Sequence, residues 1–201
     1  MGKERGQMRT IGSNGPQTLA AIRAKGLELL ARHGYEAMSL RMLAQAVGIQ
    51  PGSLYNHIDT KQGLLFDVVE GHLRDLIAAC DAALDGVTGA RARLERFAAF
   101  HVEHHITRQQ AVFVGNSELR ALTPENHAIV AGLRGEYEAR LIDILAQGAG
   151  DGSLRIGDVR VTAYALLGLL TGVCTWFRPG GRLDSAEVVA LHVDLAVRSV
   201  T

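Results

Sequence analysis

Between Ser39 and Lys61 the chain reads SLRMLAQAVGIQPGSLYNHIDTK, and no other stretch restricts the possible folds as much. Ser39 suits an N-cap, because its hydroxyl can accept from the free amides at a helix start. Leu40, Leu43, Ala44 and Val47 follow at helical spacing, which predicts about two turns with one buried face. Gly48 is placed to end that helix, since glycine adopts positive φ without steric cost. Pro51 then fits the first turn of a second helix, where a missing N–H matters little. Ala44 is small enough to let the two helices cross closely, and Ile49 and Leu54 supply inward side chains for the second. Gln50, Gly52, Ser53, Tyr55, Asn56 and His57 are left facing outward, short and mostly uncharged. An ordinary helical hairpin, the plainer alternative, would carry Lys and Glu there. A helix that enters a DNA major groove needs the surface seen here.

Residues 19–66, LAAIRAKGLELLARHGYEAMSLRMLAQAVGIQPGSLYNHIDTKQGLLF, resemble the DNA-binding domain of the TetR family of bacterial transcriptional regulators. The marks are Gly34-Tyr35 at the end of the first helix, Ser39, Ala44, Gly48, the run Gly52-Ser53-Leu54-Tyr55-x-His57, and Lys61. Ile58 stands where the family usually has Phe, Gly26 where Ala is commoner, and Gln62 where Glu is usual. Ile58 is expected to pack inward, and Gly26 to cost about 1 kcal/mol of helix propensity. The resemblance implies a dimer that binds a near-palindromic double-stranded operator. Tyr55, His57 and Lys61 are expected at phosphates and Gln50, Pro51, Gly52 and Ser53 at base edges, with Ser39, Arg41 and Asn56 completing the DNA face.

Charge distribution agrees with such a division. The net formal charge is zero, but residues 1–60 carry seven Lys/Arg against four Asp/Glu, and residues 61–201 carry fourteen against seventeen. A basic head on a slightly acidic body suits one end that meets phosphate and another that does not. The expected domains are therefore a DNA-binding unit over 1–60 and a ligand-binding and dimerisation unit over 61–201. A hydrophobic fraction of 47% is enough for a sizeable core. Cys80 and Cys174 sit in apolar helical contexts without a disulfide framework, which points to a reducing cytoplasm. The first residues, MGKERGQMRTIGSNG, lack the apolar core of a signal peptide. The uncharged run from Val161 to Phe177 is short for a membrane span and contains three Thr and a Tyr, so it reads as a helix buried in protein.

No period-two alternation persists, so the expected class is all-α. Asn14-Gly15-Pro16 opens a first helix, and Thr60 caps a long one with Leu64, Leu65, Val69, Leu73, Leu76, Cys80 and Leu84 on one side. Further helices are expected over 90–107, 109–121, 124–147, 158–177 and 184–199, with the glycine cluster at 148–152 as a loop. That cluster has no preceding strand and does not read as a phosphate-binding loop.

The stretches 158–177 and 184–199 are apolar nearly all round, and Gly168 to Gly172 forms a small-residue strip. Helices of this kind must be buried in a core or against a partner, and two from each protomer would make a four-helix dimer interface. The helices over 90–177 also mix aromatics with scattered polar groups, the general form of a small-molecule site. The candidate ligand residues are Phe97, His101, His104, Arg108, Phe113, Asn116, Arg120, Tyr137 and Trp176. Residues 104–122, HHITRQQAVFVGNSELRAL, resemble the body of TetR-type regulators that sense coenzyme-A thioesters. That resemblance implies a small hydrophobic inducer such as an acyl-CoA, with Arg108, Arg120 and Arg178 near its phosphates. His101, His104 and His105 have spacing that places imidazoles on one helix face, so a metal- or redox-sensing regulator is the alternative. No catalytic signature accompanies them, and neither an enzyme nor a resident cofactor or metal is expected.

Overall fold

The computed structural model describes residues 15–201, whose regular elements are all helices, without a strand among them. Residues 1–14, which include Asn14 of the expected helix start, lie outside the described residues. α1 (Gly15–Ala37) buries Ile22, Gly26 and Leu30, and breaks its helical path at Gly34, where φ is 74°. α2 (Leu40–Val47) and α3 (Pro51–Leu54) follow, and α4 (Lys61–Leu84) leads away to the rest of the chain. Gly26 has a packing reason beyond propensity: a Cβ there would stand 3.0 Å from both methyl groups of Leu64 on α4. Ile58 points inward, as does Met38.

The body starts with α5 (Ala90–Thr107), which packs against α4, against α7 (Pro124–Asp151), against α8 (Val159–Thr171) and against α10 (Ser185–Arg198). Phe97, Leu94, Ala98 and Val102 on α5 are fully buried, because neighbours cover nearly the whole circumference of this helix. Burial of one large side chain of this kind is worth about 1.5–3 kcal/mol. α6 (Gln109–Ser117) and a 3-10 turn (Leu119–Ala121) bridge α5 to α7, and the one-turn α9 (Val173–Trp176) follows α8. Arg140 on α7 forks onto Asp81 of α4 at 2.6 and 2.7 Å, tying those two long helices together.

Helix starts follow local chemistry. Thr60 accepts from Gly63, Thr123 from Asn126 with Pro124 in the first turn, and Asp158 from Val161. Asp184 and Glu187 cap each other's backbone reciprocally at 2.8 and 2.9 Å. Three boundaries depart from expectation, the first being that the helix expected over 109–121 ends at Ser117, before the 3-10 turn. α7 runs through the glycine cluster to Asp151, and Gly152 ends it with φ at 75°. Gly148 belongs in that helix because Leu154 folds back onto it: a Cβ there would come within 2.4 Å of the Leu154 side chain. The run expected over 158–177 breaks at Gly172 into α8 and α9.

Candidate DNA interface and ligand cavity

The head assembles as its sequence implies. Ser39 is extended, and its Oγ accepts from the Met42 amide at 3.2 Å. Gly48 turns left-handed at φ 78° and ψ 28°, and the Ile49 amide returns to the Ala44 carbonyl at 3.0 Å. Pro51 opens α3, which is only one turn long, and the backbone continues to Ile58 through bonds from Asn56, His57 and Ile58 to Ser53 and Leu54 carbonyls. Leu54 and Ile58 face inward. Gln50, Pro51, Gly52, Ser53, Tyr55 and Asn56 are exposed on the other side, with Arg41 exposed on α2 and His57 half-buried. The side chains of Arg41, Gln50, Ser53, Tyr55, Asn56 and His57 make no hydrogen bond to the described residues, so their polar atoms are free for an external partner.

Lys61 is different. Its ammonium donates to the carbonyls of Tyr35, Glu36 and Met38 at 2.7, 3.4 and 3.1 Å and lies 4.1 Å from the Tyr35 ring centroid. All three protons are thus used inside the head, where they satisfy the carbonyl end of α1. In this arrangement Lys61 clips α1 to α4, a role the sequence reading did not give it beside the expected phosphate contact.

The body holds a half-open cavity of about 190 Å³. Its walls are Val69, His72, Leu73 and Leu76 of α4; His101 and His105 of α5; Val112, Gly115 and Asn116 of α6; Arg134, Tyr137 and Glu138 of α7; and Leu167 and Thr171 of α8. Of the expected ligand residues, His101, Asn116 and Tyr137 line it. Phe97 lies behind the wall as core, with its ring 5.5 Å from Tyr137 and 5.9 Å from His101. His104 is buried next to the His72 ring rather than lining the space, and its Nε2 has no partner. Arg108 and Arg120 are exposed. Phe113 is turned to an open groove between α1 and α6 that also holds Arg32 and Arg178, and Trp176 stacks on His192 at 5.8 Å. These residues point elsewhere because α6 and the segment after α8 present opposite faces to the cavity and to solvent.

Sequence reasoning passed over Arg134, His72, Glu138 and Thr171. Arg134 had a legible signal, since it precedes Tyr137 by three and so shares its helix face. His72 sits on the apolar stripe of α4, between Val69 and Leu76, which was the other available hint.

Burial sets the charge state of this cavity. Desolvation, helped by nearby Arg108, lowers His72 and His104 to about 4, and burial takes His105 to about 3 and His101 well below its ordinary value. All four are neutral at pH 7. The Tyr137 phenol is pushed far upward by burial and stays protonated. His101 bonds Tyr137 Oη at 2.9 Å through Nδ1 and Thr171 Oγ1 at 3.0 Å through Nε2. His105 donates from Nδ1 to the His101 carbonyl at 2.7 Å, and the two imidazoles stack with centroids 3.7 Å apart. With both His101 nitrogens committed, the imidazole spacing does not create a metal site, and no group of three or more metal-ligating side chains is found among the described residues. Burial also raises the Cys80 thiol to about 12 and raises Cys174, which keeps both protonated and poorly reactive.

Cavity and head share a structural element. α6 forms one cavity wall and packs on α1 and α4, while Gln62 at the start of α4 donates from Nε2 to the Ala121 carbonyl just after α6. A glutamate at position 62 would set a carboxylate against that carbonyl, so the amide suits the contact.

A helix-turn-helix with a free polar face, packed on a helical body that holds a lined cavity, defines a DNA-binding regulator. Residues 22–68 match the family model of bacterial regulatory proteins of the tetR family, and residues 87–200 match that of tetracyclin repressor-like C-terminal domains. The chain belongs to the TetR family. It is 28% identical over 171 residues to the HTH-type transcriptional repressor KstR2 of Rhodococcus jostii (strain RHA1), covering 84% of each protein. A solved tetR-family regulatory protein from Rhodococcus RHA1 is 32% identical with a TM-score of 0.86, covering 92% of this chain and 97% of that one. AibR, solved with isovaleryl coenzyme A and operator DNA, shares the fold at a TM-score of 0.83 and 24% identity, covering 90% of this chain and 98% of that one.

Proposed function

We propose that this chain is a cytoplasmic repressor that holds a near-palindromic operator as a homodimer and releases it when a small apolar ligand enters the body cavity. The observation that carries this reading is the double role of α6, which lines the cavity and also packs on the head. A ligand that prefers one position of α6 would bias the position of α4 and hence the spacing of the two heads. Repression is the role of the KstR2 relative.

Dimerisation through α8 and α10 is supported by an unpartnered apolar face. Val161 and Tyr164 on α8 are 63% and 52% exposed, and Leu191 and Leu195 on α10 are about as open. α8 and α9 together are apolar enough to resemble a membrane span, yet little of that stretch is buried within one protomer. A facing copy of the same helices would cover it.

The ligand reading is an acyl group, with acyl-CoA thioesters as the leading class. A cavity of about 190 Å³ lies below the usual range of about 300–1,000 Å³ for ligand sites, so it suits a small acyl portion with the coenzyme outside. The AibR complex is a same-fold precedent for a short branched acyl-CoA. In fluorescence anisotropy with a labelled operator, wild-type protein is expected to bind and a matching short acyl-CoA to release it. Tyr55→Phe is expected to weaken operator binding by about tenfold, the loss of one hydrogen bond to a charged group. Full operator affinity in Tyr55→Phe, or indifference to every acyl-CoA and small hydrophobe tried, would remove the corresponding half of the reading.

A further inference from the structure

Arg134 is the odd member of the cavity wall. It is half-buried on α7, and its Nη2 donates to the Gly115 carbonyl and, at 2.7 Å, to Asn116 Oδ1, both on α6. Its Nε is buried without a partner. No carboxylate lies within ion-pair distance of it among the described residues. Glu138 lines the same cavity one turn further along α7 but does not reach it. Desolvation pulls the Arg134 pKa downward, the signature of a cation held with too little compensation. The lining imidazoles are neutral, so among the described residues Arg134 is the only cationic side chain lining the space.

The rest of the wall is complementary. The chain Tyr137–His101–Thr171 contains three hydrogen-bonding protons and two bonds, so one hydroxyl proton is left to point elsewhere. His105 spends its Nδ1 proton on a carbonyl, which leaves Nε2 as an acceptor. Leu73, Leu76, Val112 and Leu167 make the remainder apolar. The wall therefore lacks one thing, an anion for Arg134, within a space sized for a small skeleton.

We infer that Arg134 receives the carboxylate of a small apolar acid, and that in doing so it lets go of Gly115 and Asn116 and unlatches α6. This rests on the ligand-responsive reading above and deepens it by naming the recognised group. A neutral thioester carbonyl would leave the guanidinium charge uncompensated, whereas a carboxylate pairs with its fork. That carboxylate belongs either to a free acid or to the far end of a dicarboxylic acid joined to coenzyme A through its other carboxyl. The release of α6 follows because the guanidinium cannot keep both α6 oxygens and also present its fork to the ligand.

The test uses the full-length protein and matched probes. Monocarboxylates of roughly four to eight carbons, a size suited to this cavity, are compared with their primary amides, their CoA thioesters, and glutaryl- and adipyl-CoA. Binding is read by calorimetry, and operator release by anisotropy. A carboxylate from one of the two sources is expected to bind at least tenfold more tightly than its amide, which has the same shape without the charge. Arg134→Gln is expected to abolish that preference while still binding operator, and Arg134→Lys to keep part of it. Glu138→Gln, which removes a nearby like charge, should tighten carboxylate binding. Hydrogen exchange at residues 109–117 should quicken on ligand binding in the wild type. Equal affinity for acid and amide, or an unchanged acid preference in Arg134→Gln, overturns the inference. If monocarboxylic acyl-CoA thioesters or amides alone release the operator, with Arg134→Gln responding normally, the inference falls and the ligand-responsive reading stands. If no compound releases the operator, both fall.

Discussion

Lowering the pH from 7.5 to 5.5 should destabilise this protein well before any carboxylate titrates, because four imidazoles are buried without charge. An unfolded histidine takes up its proton near pH 6.5, whereas His72 and His104 hold out to about 4, His105 to about 3, and His101 is also strongly depressed. The unfolded chain therefore binds more protons over this window. Stability is present in full above 6.5 and is lost as the pH falls through 6.5 toward 4. One unit below 6.5, each such group costs about 1.4 kcal/mol. His101, His104 and His105 are 1%, 5% and 5% exposed, so together they remove about 4 kcal/mol, while half-buried His72 adds less. Against a typical stability of about 5–15 kcal/mol this is a large fraction. Asp81 works in the same direction but only at lower pH, because its bond from Arg140 holds its carboxyl below the ordinary range and that stabilisation is lost as the pH falls through the ordinary carboxylate range. Urea unfolding followed by circular dichroism at both pH values and constant ionic strength measures the difference. His104→Leu, which removes the ring with the unpartnered Nε2, should reduce the loss by about a third. A change below about 1 kcal/mol between pH 7.5 and 5.5, or an unaltered pH slope in His104→Leu, would refute this account of the cluster.

Lys61→Ala opens the clip to the Tyr35, Glu36 and Met38 carbonyls and should cost the head about 2–3 kcal/mol, seen as a lower thermal midpoint. Its operator affinity should keep the wild-type salt slope, whereas a lost phosphate contact would lower that slope by about one unit. Gly168→Glu meets open space within the protomer, so the chain should fold normally yet sediment as a monomer and lose operator binding. An unchanged dimer would move the interface away from α8.

The helix-turn-helix was legible before any coordinates because each of its signals is local. Ser39 caps α2, Gly48 turns left-handed and Pro51 starts α3, all within a few residues of the bonds they govern. The same holds for α5, whose expected limits at 90 and 107 are those observed, and for the starts of α7 and α10, where Pro and an Asp–Glu pair mark the first turn. Tertiary packing decided the remainder. Gly148 reads as a loop residue until Leu154 is found lying on it, and Gly26 as a costly one until Leu64 is seen to cross there. Lys61 looks free for phosphate until the end of α1 is placed beside it. Arg134, His72 and Thr171 come together from three helices spread over 100 positions, and Phe113 and Trp176 turn away although their types suit a pocket. Periodicity tells which face of a helix is covered, but a cavity is a space that several covered faces fail to fill, and only their mutual placement defines it.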